Sequence, residues 1–166
     1  MSIDIINKRI KKRGREIRNF IGYINKNFII SHKVSVNITD FPCVFADNRE
    51  PVFGVFYPYY SKSFKIEIAN NIEYYRKDVE LSENQILYLV LHTIAHEIYH
   101  YLQYKEKHKT IENWVDYQAH KMLQLYMQKC PRDTNLIISS IYNYSITEEI
   151  QAINPNERKA SYAHKK

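Results

Sequence analysis

Two histidines and a glutamate raise the first chemical question. His96-Glu97-Ile98-Tyr99-His100 reads H-E-x-x-H. On an α-helix, residues four apart project from one face a turn apart, so His96 and His100 can direct two imidazoles at one ion. Tetrahedral zinc takes nitrogen ligands of this kind. Glu97, one residue along, can reach a water held by the ion without ligating the ion itself, which suits it to general-base work. Five letters can arise by chance, so the flanking sequence has to decide.

A hydrolytic zinc centre needs three protein ligands, an open position for water and a base. Zinc brings the pKa of its water to about 7, within reach of a nearby carboxylate. One completion of the motif places a glycine three residues after the second histidine and another histidine three further on. Gln103 and Glu106 hold those places, which excludes it. His108 falls two turns along the same helix, from where reaching back is difficult. Glu112 and Asp116 are better placed, one turn apart on one helical face. An antiparallel helix after a short turn at 107–110 would lay that face on the histidines. Glu112 then becomes the third ligand, and Asp116 accepts the remaining ring N–H of a ligand histidine, first of all His96, fixing its tautomer. His92, one turn before His96, reads as a packed or hydrogen-bonded histidine rather than a fourth ligand.

The elements that must position these residues follow from periodicity. Ser82 with Gln85 forms a capping box, and Ile86, Leu87, Leu89, Val90, Leu91, Ile94, Ala95, Ile98 and Leu102 fill most sides of the helix that follows. A helix so apolar should be central and buried, which leaves its histidines as ligands or as costly buried polar groups. Thr110 is expected to cap a second helix running to Gln128, with Pro131 just beyond. Upstream, Ile3, Ile6, Ile10, Ile17, Ile21, Ile24 and Phe28 at helical spacing predict a helix over 3–28, interrupted by Gly14. Strands are expected at Val34–Ile38, Phe53–Tyr57 and Phe64–Ile68, punctuated by Pro42, Pro51 and Pro58. Asp133 and Ser145, the latter boxed with Glu148, can begin two shorter helices. The sequence after Pro155 reads as a polar, mobile tail.

At these residues the chain resembles the gluzincins, the thermolysin-type clan in which H-E-x-x-H is followed by E-x-x-x-D. It is most similar to the small ImmA/IrrE-type intracellular metallopeptidases and the minimal-scaffold minigluzincins, whose downstream helix commonly reads E-N-E-A-D-x-F-A or a variant. Glu112-Asn113-Trp114-Val115-Asp116-Tyr117-Gln118-Ala119 matches at the ligand, the acidic partner and the packing alanine, and departs at Trp114, Val115 and Gln118. The resemblance extends from the active-site helix through Leu123. It implies an α+β, zincin-like minimal metallopeptidase fold: N-terminal helix, small mixed twisted sheet, active-site helix, glutamate helix. Residues 1–154 would form that single domain and 155–166 a basic tail. It also implies a zinc-dependent endopeptidase with one Zn2+ per chain on His96, His100 and Glu112, Glu97 as base, and an intracellular protein as substrate, a repressor or stress regulator by analogy.

Peptide hydrolysis also wants a donor for the tetrahedral oxyanion. His120, one turn past Asp116, is a candidate, as are Tyr99, Tyr117 and His164. In zincins an extended peptide pairs with the sheet's edge strand above the metal, and the Phe64–Ile68 strand is the candidate for that role.

Composition bounds the alternatives. With 3 glycines in 166 residues, a glycine-rich phosphate loop is effectively excluded. No apolar run reaches the roughly 20 residues of a membrane span, so no membrane partner is expected. The start MSIDIINKRIKK has no apolar stretch before a cleavage site. Cys43 and Cys130 lack a spacing motif and read as reduced thiols, so a cytoplasmic location is expected. The net charge of +6 gathers at Lys8, Arg9, Lys11, Lys12, Arg13, Arg15 and Arg18 and in the tail. On a basic N-terminal helix these could contact nucleic acid, although a solvated helix face with a frayed tail is the simpler account. Two rivals therefore stand beside the protein- or peptide-cleaving reading. One is a SprT-like protease acting on DNA-associated proteins, which uses a third histidine. The other is a non-catalytic zincin scaffold serving as a nucleic-acid or protein-binding regulator.

Overall fold

The longest element begins where its sequence says it should. Ser82 Oγ accepts the main-chain N–H of Gln85 at 3.3 Å while the Gln85 side chain accepts the Ser82 N–H at 2.8 Å. This reciprocal cap starts the helix Glu83–Lys105. The computed structural model describes residues 2–6, 10–58, 63–72, 81–107 and 111–130. Over these the chain is a mixed α/β structure of six strands and three helices: β1 (Ile3–Ile5), α1 (Gly14–Asn27), β2 (Val34–Thr39), β3 (Val44–Phe45), β4 (Pro51–Val52), β5 (Gly54–Tyr57), β6 (Phe64–Ala69), α2 (Glu83–Lys105) and α3 (Glu112–Lys129). His108, the helices expected from Asp133 and Ser145, and the tail with His164 lie outside the described residues.

A four-stranded sheet in the order β1-β2-β6-β5 forms one layer, and β3 and β4 make a separate small hairpin. β2 pairs parallel with both β1 and β6, whereas β5 runs antiparallel to β6. Alternation sets the faces: Val34, Val36 and Ile38 of β2 are buried, as are Ile66 and Ile68 beside them. That face meets α2, whose Ile86, Leu89, Val90, Leu91, Ile94, Ala95 and Ile98 are buried, so this helix is central as its composition requires. On α3, Val115, Ala119, Met122, Leu123 and Tyr126 make the buried stripe. Ala119, fully buried, permits close approach of the backbone to its neighbours. Truncating a side chain such as Ile94 in this layer would cost about 2–5 kcal/mol.

Three expectations are corrected. The helix over 3–28 is instead a strand and a shorter helix. Ile3 and Ile5 also fit a period of two, and pairing with Val34–Val36 decides in favour of strand. Gly14 opens α1 rather than interrupting it, after Arg13 in the left-handed region at φ 57°. The basic run therefore does not share one helix face. Lys11–Arg13 precede α1, and the Arg13 side chain is only 5 % exposed, donating to the Asn70 carbonyl at 2.7 Å and to Glu83 at 3.0 Å. Arg15 pairs with Glu16, and Lys8 and Arg9 lie outside the described residues. Second, the Phe64–Ile68 strand is not an edge: β6 has β2 on one side and β5 on the other, so β5 is the edge on that side. Third, the cap expected from Thr110 is not the one observed: the N-cap position of α3 is Ile111, with no side-chain cap.

Candidate metal centre

α2 and α3 lie side by side, and contacts between them step along both helices in opposite senses. Glu112 meets His100, Asp116 meets His96 and His120 meets Tyr88. Positions four apart on α3 thus meet His100, His96 and, two turns further back, Tyr88 in reverse order along α2, the antiparallel arrangement expected from the spacing. His96 and His100, one turn apart on α2, have their rings 4.6 Å apart edge to face.

The rung at His96 fixes its chemistry. Its Nδ1 lies 2.7 Å from Asp116 Oδ1, so Nδ1 carries a proton and donates it to the carboxylate. The lone pair of the neutral ring is then on Nε2, which lies 2.8 Å from His100 Nε2 and 3.3 Å from Glu112 Oε2. His100 Nε2 is 3.5 Å from the same carboxylate oxygen. Ligands at zinc distances of about 2.0–2.2 Å in a tetrahedron stand about 3.3–3.5 Å apart. The two distances to Glu112 match that spacing, and the 2.8 Å between the ring nitrogens is shorter, so a divalent ion of that size would need the two imidazoles to part by about half an ångström. His96, Glu97 and His100 also offer atoms that all lie within 4.8 Å of one another, a group able to hold a metal ion. Of the two carboxylates, Glu112 is the one whose oxygen faces both ring nitrogens.

Charge distribution agrees with a cation in this position. Burial opposes protonation of His96, but its hydrogen bonds to Asp116 and Glu112, with the charge of Glu97, outweigh burial and carry its pKa up to about 10. Hydrogen bonds from His100 and His96 hold Glu112 well below the carboxylate range. Burial works against the Asp116 anion, yet the His96 hydrogen bond keeps its pKa below the ordinary value. The metal-free centre thus gathers one extra positive charge among three carboxylates. A divalent ion would supply two positive charges in place of that one proton and requires both ring nitrogens unprotonated.

Glu97 faces a different neighbour. It is 6 % exposed, and burial raises its pKa against the opposing charges of His96 and His100. The nearby main-chain N–H of Phe56 on β5 favours its anion. The register explains the direction of that N–H. Ala69 N–H donates to the Phe53 carbonyl, so Phe53 and Val55 turn their main-chain groups to β6, while Gly54 and Phe56 turn theirs to the open edge. At position 54 the edge strand also comes into contact with the Thr93 and Glu97 side chains.

The remaining candidates are placed as follows. His92 stacks on Tyr88 at 5.9 Å; burial pushes its pKa down to about 4. His120 Nδ1 is 2.8 Å from Tyr88 Oη and its Nε2 3.0 Å from the Gln124 amide nitrogen, a further rung away from His100. Tyr99 packs edge-on against Trp114 at 5.7 Å, and Tyr117 is 61 % exposed on α3. The structure thus brings His96, Glu97, His100, Glu112 and Asp116 together, places His120 and Tyr99 in other contacts, and leaves Tyr117 exposed. Sequence reasoning missed Gly54 and Phe56. The available signal was a glycine inside a β-forming run, a mark of close backbone approach.

Among the described residues, no helix is long and apolar enough to cross a membrane. The chain matches no protein-family model, no curated protein and no solved structure, so its function is argued from these side chains and their geometry.

Proposed function

We propose that the protein is a zinc-dependent endopeptidase of gluzincin type, built on a zincin-like minimal fold. The observation that carries this is the convergence of His96 Nε2, His100 Nε2 and Glu112 Oε2 within 2.8–3.5 Å, with buried Glu97 beside them. His96, His100 and Glu112 would hold the ion, and Asp116 would orient His96. When bound, zinc supplies a Lewis acid that polarises a carbonyl and lowers the pKa of water. Glu97 takes a proton from the attacking water and returns it to the departing amine. Its elevated pKa suits both halves of that exchange. The edge strand β5 offers outward main-chain groups at Gly54, to which an extended peptide can pair. The resemblance to ImmA/IrrE-type enzymes extends the reading to an intracellular protein substrate, a repressor or stress regulator.

Metal analysis and hydrolysis of fluorescein-labelled casein, run together, test this. Wild type should bind zinc stoichiometrically, His96→Ala and Glu112→Ala should lose it, and Glu97→Gln should keep zinc while losing hydrolysis. Undiminished zinc in Glu112→Ala would point to a histidine as third ligand, the SprT-like pattern. Zinc-independent function untouched by Glu97→Gln would leave a binding scaffold instead of an enzyme.

A further inference from the structure

The contact between the edge strand and Glu97 assigns a role to a residue that bears no functional group. Gly54 has no positive φ, so no unusual backbone conformation requires glycine there. Space does. A Cβ at this position would lie 2.5 Å from Thr93 Cγ2, 2.8 Å from Glu97 Cγ and 2.9 Å from Glu97 Oε1. Non-bonded carbons do not approach so closely, so any side chain must move the strand, Thr93 or Glu97. Thr93 is restrained by its hydroxyl, which donates to the Leu89 carbonyl at 2.8 Å. The strand is restrained by its ladder with β6. Glu97 is the member of the three with side-chain torsions free to turn. Two residues on, the Phe56 N–H turns to the open edge of the sheet and is near enough to the Glu97 carboxyl to favour its anion.

We propose that Gly54 is a positioning residue: by lacking a side chain it lets β5 lie against α2 closely enough for the Phe56 N–H to fix the Glu97 carboxyl beside the histidines. This rests on the peptidase reading for its consequence in catalysis, but not for the placement itself. The simpler account is that glycine merely makes room for the Thr93 methyl group.

Three variants of the full chain separate the two: Gly54→Ala, Gly54→Ala with Thr93→Ser, and Gly22→Ala. Thr93→Ser removes the nearest obstructing atom and keeps the hydroxyl. At Gly22 a Cβ meets nothing within 4 Å, so that variant serves as control. The readouts are bound zinc, the thermal midpoint, amide exchange at Phe56 in the metal-free protein, and casein hydrolysis. Gly54→Ala should retain zinc, speed Phe56 exchange about tenfold and slow hydrolysis on the order of a hundredfold. Adding Thr93→Ser should restore the midpoint and neither of the other two. Should Gly54→Ala alone fail to fold, the double variant carries the test. Recovery of Phe56 exchange in the double variant overturns the proposal, as does unchanged exchange in the single one. If wild type leaves casein intact while Phe56 exchange responds as stated, the placement stands and the peptidase reading fails.

Discussion

Asp116 Oδ1 stands 2.7 Å from His96 Nδ1, and this contact decides which nitrogen of His96 faces the other donors. An imidazole can present either nitrogen, and a carboxylate that only accepts leaves Nδ1 no choice but to donate. In the neutral ring the lone pair is then on Nε2, facing His100 and Glu112. Because Asp116 lies one turn from Glu112 on the same helix, a single element supplies both a candidate ligand and the group that orients another.

Asp116→Asn should therefore weaken zinc binding without emptying the site. The amide keeps an acceptor oxygen but loses the charge that favours Nδ1–H and makes the ring a better donor. Loss of such a partner costs about 10–100-fold in metal affinity. Competition with a coloured chelator measures it, and the far-ultraviolet circular dichroism spectrum should match wild type. Affinity equal to wild type would reduce Asp116 to a packing contact between α2 and α3.

Away from the centre, Glu67 gives a pH-dependent prediction. Its carboxylate lies 2.7 Å from Lys65 Nζ and within 3.4 Å of Asn37 and Tyr57. Burial works against the Glu67 anion, but Lys65, then Asn37 and Tyr57, lower its pKa below the ordinary 4.5. A carboxyl with a depressed folded pKa stabilises the protein above its unfolded pKa, and that contribution is lost as pH falls through the folded value. Glu67→Gln should cost about 1 kcal/mol at neutral pH. In urea titrations of the metal-free proteins, the gap from wild type should narrow below pH 4.5. A gap that stays constant through the acid range would show that the loss is one of packing alone.

How much of this was legible in the chain depends on how local each signal is. The cap at Ser82 and Gln85, the apolar run of α2 and the four-residue spacings of His96 with His100 and Glu112 with Asp116 are all set within a turn or two of helix. Each appears where periodicity puts it. β1 was not legible, because three residues acquire their conformation only through pairing with Val34–Val36. The edge position of β5 was hidden for the same reason, since strand order is decided by crossovers and not by alternation. Gly54 was visible as an anomaly in a strand-forming run, but its neighbour Glu97 is brought to it only by the packing of β5 on α2.

His120 is where spacing and structure part most clearly, and a variant tests the difference. One turn past Asp116, it was a candidate to stabilise a developing oxyanion. Its two nitrogens instead meet Tyr88 Oη at 2.8 Å and the Gln124 side chain at 3.0 Å. That makes it a strut between α2 and α3, half-buried, with burial lowering its pKa. His120→Ala should then destabilise the fold by about 1–2 kcal/mol through the lost hydrogen bond and packing. Tyr88→Phe should cost less in its presence than in wild type, because the partner is already gone. Zinc content should hold, and kcat measured well below the unfolding midpoint should change less than tenfold. An oxyanion donor behaves differently, with kcat falling about 10²–10³-fold on its removal. A fall of that size at unchanged zinc content would return His120 to the reaction and require the Tyr88 contact to open when substrate binds.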